Sequence, residues 1–234
     1  MIYVFETMGT IVSIEPPRNV PEVELIFEAY DHRFSLYRPT SELSQIAAGK
    51  PLEDSSAEML EAYAAALHWR TLTDGAFTPH RPDGVIDLSG IVKALAMDAA
   101  GTVLQDASPD EGWILNAGGD ILTSGASATI GITDPADKTR LLTSVVLGGS
   151  RRAVATSGTA ERGSHIWGRG TFSQVTVVAD EILIADVLAT AIMAGGWDTL
   201  NASTDRWDID VLAIDTAGNL AATPGFRRSM AAAA

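Results

Sequence analysis

The sequence contains no cysteine among its 234 residues. This absence excludes a disulfide framework, a zinc site built on thiolates and a cysteine nucleophile. Basic residues are also scarce, because 16 lysines and arginines stand against 30 aspartates and glutamates, and the formal net charge is −14. An acidic chain of this kind is repelled by phosphate backbones and anionic lipids, so we expect neither nucleic acid nor a membrane as a partner.

Long apolar runs are missing as well. No stretch approaches the roughly twenty consecutive apolar residues of a membrane-spanning helix, and residues 1–15 lack the basic and apolar regions of a secretory signal. We therefore expect a cytoplasmic protein. The hydrophobic fraction of 46% is enough for a sizeable core, and we expect one compact domain over residues 1–229 with a short disordered tail over residues 230–234.

Helical and strand-like patterns come in blocks along the chain rather than in strict alternation. The helical patterns cover residues 21–34, a short segment from Ser41, residues 56–72 with Ser55 as N-cap, a segment from Ser89 or Gly90, and residues 184–193. The strand patterns cover residues 2–15 with a break at Met8-Gly9-Thr10, and residues 113–116, 121–123, 128–132, 142–147, 152–156, 174–179 and 211–215. This order favours an α+β fold with a largely antiparallel sheet.

Asp186 and Thr190 lie four residues apart on a predicted helix. This spacing places their side-chain oxygens on one face of the helix, one turn from each other. A carboxylate and a hydroxyl together form part of a ligand set for a hard cation such as magnesium. The alternative is an aspartate that the helix dipole favours in a first turn and a threonine that only packs.

A second candidate segment runs from Asp87 to Lys93. Asp87 precedes a predicted helix start, and Lys93 lies one and a half turns further along. Amide groups in the first turn of a helix point outward and attract anions, so this segment is a candidate anion site. The alternative is an ordinary helix cap followed by a solvated lysine.

The segment Thr156-Ser157-Gly158 is predicted to be a turn of small residues after a strand. Such a turn can present its amides to a phosphate as an anion-binding nest, or it can be an ordinary turn. His165 follows in a loop-like segment, and histidine is the usual base for taking a proton from a hydroxyl near neutral pH. The motifs G-x-G-x-x-G, G-x-x-x-x-G-K-[ST], G-x-S-x-G and H-E-x-x-H do not occur.

Taken in order, segments of this chain resemble the ApbE family, the FAD:protein FMN transferases. They run from residue 8 to about residue 196 and so cover most of the chain. The segments are Met8-Gly9-Thr10, Asp31 through FSLYRPTSELSQI, Gly75-Ala76-Phe77, DLSGIVKALAMD from Asp87, NAGGDI from Asn116, ATSG from Ala155, His165-Ile166 and ADVLATAIMAGG from Ala185.

The resemblance implies an α+β fold of the T-fold type and a role for each matching residue. Asp186 and Thr190 match the family's magnesium ligands, and Gly90 matches a residue whose backbone carbonyl completes the metal site. His165 matches the histidine that takes the proton from the acceptor hydroxyl. The positions that match residues at or near bound FAD are Met8, Tyr37, Asp87, Lys93, Thr156, Ser157 and Gly158.

The implied reaction transfers the FMN half of FAD to a threonine or serine hydroxyl of an acceptor protein and releases AMP. FAD is then a substrate, Mg²⁺ the cofactor that offsets the charge of the pyrophosphate, and the acceptor protein a partner. Two alternatives stay open. One is an FAD pyrophosphatase that uses water and gives free FMN and AMP, and the other is a flavin- or nucleotide-binding protein without catalysis.

The chain departs from the family pattern in several places, among them Ala94, where the family has a glycine after the lysine. Family members carry several dozen residues between the Gly-x-Phe and Asp-Leu motifs, a segment that helps to enclose the flavin, and here only a few lie between. Thr78-Pro79-His80 also replaces the family's Asp-Pro-Thr. After His165-Ile166 the family's Ile-Asp-Pro is replaced by Trp167-Gly168-Arg169. We expect Trp167 either to stack on a ring of FAD in place of the lost cover or to lie in the core.

Overall fold

A computed structural model describes residues 1–17, 19–158 and 170–230 of the chain. Its contacts divide the chain into two compact units, Met1–Gly118 and Gly119–Ala234. Two residues singled out by sequence, His165 and Trp167, fall outside the described residues. Among the helices within the described ranges, none is long and apolar enough to cross a membrane.

The first unit combines an antiparallel sheet with helices. The strands lie in the order β1 (Tyr3–Thr7), β2 (Thr10–Glu15) and β3 (Ile114–Ala117). The helices are α1 (Val20–Phe34), α2 (Glu42–Ala47), α3 (Ala57–Leu72) and α4 (Ser89–Ala107), and a 3₁₀ turn covers Leu52–Asp54.

Helix α1 joins the sheet of this unit to its helical layer. The helix buries Val23, Phe27 and Phe34, packs against α4, and places the ring of Phe27 edge-on to Phe5 of β1 at 5.8 Å between centroids. Pro21 lies in its first turn, where a missing N–H costs no intrahelical hydrogen bond. The predicted amphipathic helix over residues 21–34 is therefore confirmed.

The N-cap of α3 differs by one residue from the sequence prediction. Ser56, not Ser55, accepts a hydrogen bond from the N–H of Met59 at 3.2 Å. The helix begins at Ala57, and the hydroxyl of Ser56 lies at the position from which a cap reaches the third helical amide. The short helix from Ser41 is confirmed, since Ser41 caps α2 through the N–H of Ser44 at 3.0 Å.

The second unit also combines strands and helices. Its main strands are antiparallel neighbours in the order β4 (Asp120–Thr123), β7 (Ala153–Gly158), β8 (Phe172–Ala179), β9 (Asp210–Asp215) and β10 (Leu220–Ala222). A separate antiparallel hairpin consists of β5 (Ala128–Asp134) and β6 (Asp137–Leu147). The helices are α5 (Ile182–Gly195), α6 (Trp197–Arg206) and α7 (Pro224–Ser229).

Helix α5 is the central helix of the second unit. It packs against β7 and β8, and its buried side chains include Val187, Leu188 and Ile192. A helix that is apolar on nearly all sides belongs in a protein interior, which accounts for its position against the sheet. The strands of both units pair antiparallel, so the predicted α+β class with a largely antiparallel sheet is confirmed.

Candidate functional site

Asp186 is the only charged residue in the sequence of α5, and it is buried. Its exposed fraction is 6%, although the helix around it is almost wholly apolar. Burying a carboxylate costs several kcal/mol unless it is hydrogen-bonded, paired with a cation or bound to a metal. Because magnesium takes carboxylate oxygens as ligands, the buried Asp186 is a candidate ligand for a cation, as the sequence predicts.

Thr190 lies one turn after Asp186 on α5 and meets a hydroxyl from the neighbouring strand. Its Oγ1 is 3.2 Å from the Oγ of Ser157 on β7, a distance at which either hydroxyl can donate. Thr190 and Ser157 thus bring two hydroxyl groups together where α5 packs on β7, and the buried carboxylate of Asp186 lies one helical turn earlier on α5. All of these donors are hard oxygen atoms.

The prediction that Thr156-Ser157-Gly158 forms a turn is wrong. All three residues belong to β7 and pair with β8, where Thr156 lies opposite Thr176 and Gly158 lies opposite Gln174. Extended residues in a ladder direct their amides alternately to the neighbouring strands, so they cannot form the concave amide nest of a turn. Any contact of this segment with a ligand would come from its side chains, such as the Ser157 hydroxyl.

Two buried polar residues hold Thr156 in place, and neither is predicted from the sequence. Asp120 on β4, with 1% exposure, accepts the backbone N–H of Thr156 through Oδ1 at 3.0 Å. Thr176 on β8, fully buried, places its Oγ1 2.9 Å from that of Thr156. The one available signal was an aspartate inside the NAGGDI segment, directly before three apolar or β-branched residues.

The oxygen donors near α5 fit magnesium better than zinc. Zinc sites use histidine or cysteine ligands in sets of three or four, and within residues 1–17, 19–158 and 170–230 no group of three or more histidines, aspartates or glutamates is close enough to hold a metal ion. Magnesium takes one or two carboxylates and keeps several water molecules. The chemistry of Asp186, Thr190 and Ser157 is compatible with such a partly hydrated ion.

In the first unit, Asp87 lies two residues before Ser89, the first residue of α4. Its Oδ1 accepts the N–H of Ser89 at 2.9 Å, while its own N–H donates to the carbonyl of Pro79 at 2.8 Å. The side chain of Lys93 is half-buried in the second turn of the same helix. The predicted helix start is confirmed, and Asp87 is held by hydrogen bonds on both sides.

Gly90 lies in the first turn of α4 against an aromatic ring. A Cβ atom on this residue would lie 2.9 Å from Cε2 of Phe77, closer than carbon atoms approach without displacement. Phe77 is 3% exposed and therefore has little room to move. The absence of a side chain at Gly90 lets the start of α4 pack directly on this ring.

Met8 occupies a strained position between β1 and β2. Its φ is 49° and that of Gly9 is 68°, the pair of left-handed residues that a two-residue type I′ hairpin requires. A non-glycine residue with a side chain of this size is uncommon there, and such strain often marks functional positions. Tyr37, the other residue matched to the flavin, is 87% exposed.

The residues singled out by sequence are distributed over both units. Met8, Tyr37, Asp87, Gly90 and Lys93 belong to Met1–Gly118. Apart from His165 and Trp167, which lie outside the described residues, the others belong to Gly119–Ala234, and they are Thr156, Ser157, Gly158, Asp186 and Thr190. Within the second unit, the structure brings Ser157 and Thr190 into contact.

Comparison with known structures shows the fold of this chain in other proteins. It is similar to the ApbE protein from Thermotoga maritima, with a TM-score of 0.83 at 20% identity over 98% of both chains. The flavin transferase ApbE from Vibrio cholerae gives 0.78 at 23% identity, again over 98% of both chains. The apo form of the flavinyl transferase ApbE from Pseudomonas stutzeri gives 0.78 at 20% identity, over 100% of this chain and 97% of that one.

Comparison of the sequence with models of protein families identifies the family. No curated protein sequence matches the chain. The model of the ApbE family matches residues 8–81 and residues 79–213, which together account for most of the 234 residues. These two ranges contain every residue that the sequence analysis assigned to the site. The chain belongs to the ApbE family.

Proposed function

We propose that this protein is a flavin transferase that moves the FMN moiety of FAD to a threonine or serine hydroxyl of an acceptor protein and releases AMP. The observation that carries the proposal is Asp186, a buried carboxylate in an apolar helix, one turn before Thr190, whose hydroxyl meets that of Ser157. Relatives of similar fold from Vibrio cholerae and Pseudomonas stutzeri are named flavin transferases. Family membership supports the same reaction in this chain.

We assign magnesium as the cofactor and Asp186 and Thr190 as its side-chain ligands. The carbonyl of Gly90 is assigned as a further ligand from the family resemblance alone. When bound, magnesium supplies positive charge that offsets the developing negative charge on the pyrophosphate. Ser157 holds the Thr190 hydroxyl through the 3.2 Å contact between their oxygens, which orients Thr190 Oγ1 as a ligand.

The remaining assignments concern FAD itself. Met8 and Tyr37 contact the flavin, and Asp87 and Lys93 bind FAD at the start of α4, where backbone amides favour an anionic group. From β7, Thr156, Ser157 and Gly158 complete the binding residues. Positioning of the pyrophosphate by such groups is expected to supply much of the rate in a phosphoryl-type transfer.

His165 is assigned as the general base on sequence grounds. It takes the proton from the acceptor hydroxyl as the hydroxyl oxygen forms a bond to the phosphorus of the FMN half. The bond from that phosphorus to the bridging oxygen breaks, and AMP leaves with the oxygen. The product is an FMN phosphoester on the acceptor. His165→Ala is expected to bind FAD and lose transfer, and retained transfer in this variant would remove the assignment.

The test is incubation of the purified protein with FAD and magnesium, with and without an acceptor domain that carries the target threonine. Release of AMP together with flavin-labelled acceptor is the expected result. Release of AMP and free FMN without acceptor would instead establish an FAD pyrophosphatase. Binding of FAD with no AMP in either incubation would leave a flavin-binding protein without catalysis.

A further inference from the structure

The residues from Pro79 to Asp87 form a tight hairpin in front of α4. The N–H of Asp87 donates to the carbonyl of Pro79 at 2.8 Å, and His80 and Ile86 form an antiparallel bridge. The two ends of the hairpin are thereby tied to each other. A displacement of its first strand is transmitted directly to Asp87.

His80 fastens this hairpin to α3. Its Nε2 lies 2.9 Å from the phenolic oxygen of Tyr63, and the two rings meet edge to face with centroids 5.8 Å apart and an interplanar angle of 88°. Both side chains are half-buried. The hydrogen bond and the ring contact therefore hold one defined orientation of the hairpin on a rigid helix.

Asp87 lies at the other end of the hairpin, so its position depends on how the hairpin is held on α3. Its Oδ1 accepts the N–H of Ser89, the first residue of α4, at 2.9 Å, while its backbone is bound to Pro79. The direction of the Asp87 carboxylate thus depends on both the helix and the hairpin. His80 influences Asp87 through the hairpin and not through the helix.

We propose that Tyr63 and His80 are positioning residues for FAD binding. They hold the hairpin on α3, and the hairpin holds Asp87 in the orientation that binds FAD. Neither residue belongs to the set that the family resemblance assigns to FAD or to the metal. The inference rests on the proposed function, since it takes Asp87 as a residue that contacts FAD.

The first measurement is the steady-state dependence of AMP release on FAD concentration for Tyr63→Phe and His80→Leu. Loss of one neutral hydrogen bond is expected to raise the KM for FAD about threefold to tenfold, with kcat little changed. A raised KM with an unchanged kcat shows that the lost interaction stabilised the bound substrate and the transition state equally. Direct titration of FAD by flavin fluorescence is expected to show the same rise in Kd.

A conservative replacement separates positioning from simple packing. In His80→Gln the amide can reach the Tyr63 hydroxyl from nearly the place of the imidazole Nε2, so its KM for FAD is expected to return close to wild type. In the double variant Tyr63→Phe/His80→Leu the KM is expected to rise no further than in the single variants, because both remove the same contact. Where Tyr63→Phe does not fold, the comparison of His80→Gln with His80→Leu carries the test.

Thr71→Val is the matched control on the same helix. Thr71 Oγ1 donates to the carbonyl of Leu67 at 3.1 Å, so the variant also removes a side-chain hydrogen bond of α3 but leaves the hairpin untouched. Its KM for FAD is expected to equal that of the wild type. A uniform fall in kcat with unchanged KM in all variants would show a structural role only.

The outcomes distinguish this inference from the proposed function. If the wild type releases AMP from FAD and the Tyr63 and His80 variants keep its KM, the inference is overturned and the proposed function stands. If the wild type neither binds FAD nor releases AMP, the proposed function fails and the inference fails with it. A raised KM that His80→Gln restores supports both.

Discussion

The hydroxyl oxygens of Ser157 and Thr190 lie 3.2 Å apart and connect strand β7 to helix α5. Thr190 follows Asp186 by one helical turn, and Asp186 is 6% exposed. Metal ligands are commonly held in orientation by a hydrogen bond from a neighbouring group that does not itself bind the metal. The Ser157 hydroxyl is placed to do this for the Thr190 hydroxyl. The pair gives the proposed magnesium site a feature that mutation can test.

Thr190→Val and Ser157→Ala are expected to differ in their magnesium requirement. Valine keeps the shape of threonine but removes the proposed ligand, so the magnesium concentration for half-maximal AMP release is expected to rise at least about tenfold. Ser157→Ala leaves the ligand but removes its orienting contact, and a smaller rise is expected. Magnesium titrations of both variants check this order, and an equal requirement in both variants and the wild type would exclude Thr190 from the site.

Asp186→Ala is expected to abolish magnesium-dependent AMP release while the fold persists. The carboxylate is the only charged ligand proposed, and its removal is expected to lower the rate at least about 100-fold. Far-ultraviolet circular dichroism and thermal unfolding check the fold. The control is Asp180→Ala, an exposed aspartate just before the same helix, which is expected to keep wild-type activity. Unchanged turnover in Asp186→Ala would refute the metal assignment.

Gly90→Ala is expected to destabilise the protein. The new methyl group would lie 2.9 Å from the Phe77 ring, and overpacking of a tight core costs about 1–3 kcal/mol. Alanine gains at most about 1 kcal/mol over glycine in a helix, so the steric cost is expected to outweigh it. Chemical denaturation measures the difference, and the additional change Phe77→Leu is expected to recover part of it. A variant as stable as the wild type would show that Phe77 moves freely.

Glu42 is expected to stabilise the fold in a pH-dependent manner. Burial acts to raise the pKa of its carboxyl, but hydrogen bonds from the Ser56 side chain and backbone, and the nearby Lys50 ammonium, outweigh burial and hold the pKa below its usual value. A depressed pKa contributes stability above the unfolded value of about 4.3, and this stability is lost as the pH falls through the folded value.

The measurement is the free energy of unfolding of Glu42→Gln relative to wild type between pH 7 and pH 3. The variant is expected to be less stable by about 2 kcal/mol at pH 7, because Glu42 accepts two 2.6 Å hydrogen bonds at the start of α3. The difference is expected to shrink below about pH 4. Glu53→Gln, a change at an exposed glutamate, serves as control, and a difference independent of pH would rule out an ionic contribution.

Much of the fold follows from local patterns in the sequence. The amphipathic period places α1 within one residue of its observed start. The predicted break at Met8-Gly9-Thr10 is confirmed at Met8 and Gly9, whereas Thr10 is the first residue of β2. The sequence does not predict helix α6 (Trp197–Arg206), because only Trp197, Leu200 and Ala202 of its residues are apolar and the segment is short. Its position depends on packing against α5, which is a tertiary effect.

For the candidate site too, some features follow from local sequence and others depend on tertiary structure. The four-residue spacing is enough to place Asp186 and Thr190 on one helix face, and α5 confirms it. The sequence predicts a turn at Ser157, because serine and glycine favour turns over strands. Pairing with β8 overrides that preference and extends β7 to Gly158. The contacts of Asp120 and Thr176 with Thr156 depend on strand register, and no local pattern carries that information.

The most direct test of the central claim is the mass of an acceptor domain after incubation with FAD, magnesium and this protein. The account predicts that the acceptor gains one FMN phosphoester at a threonine or serine, that one AMP appears for each acceptor labelled, and that Asp186→Ala gives neither product. An acceptor of unchanged mass, with FAD intact in the presence of magnesium, would contradict the assignment of this protein as a flavin transferase.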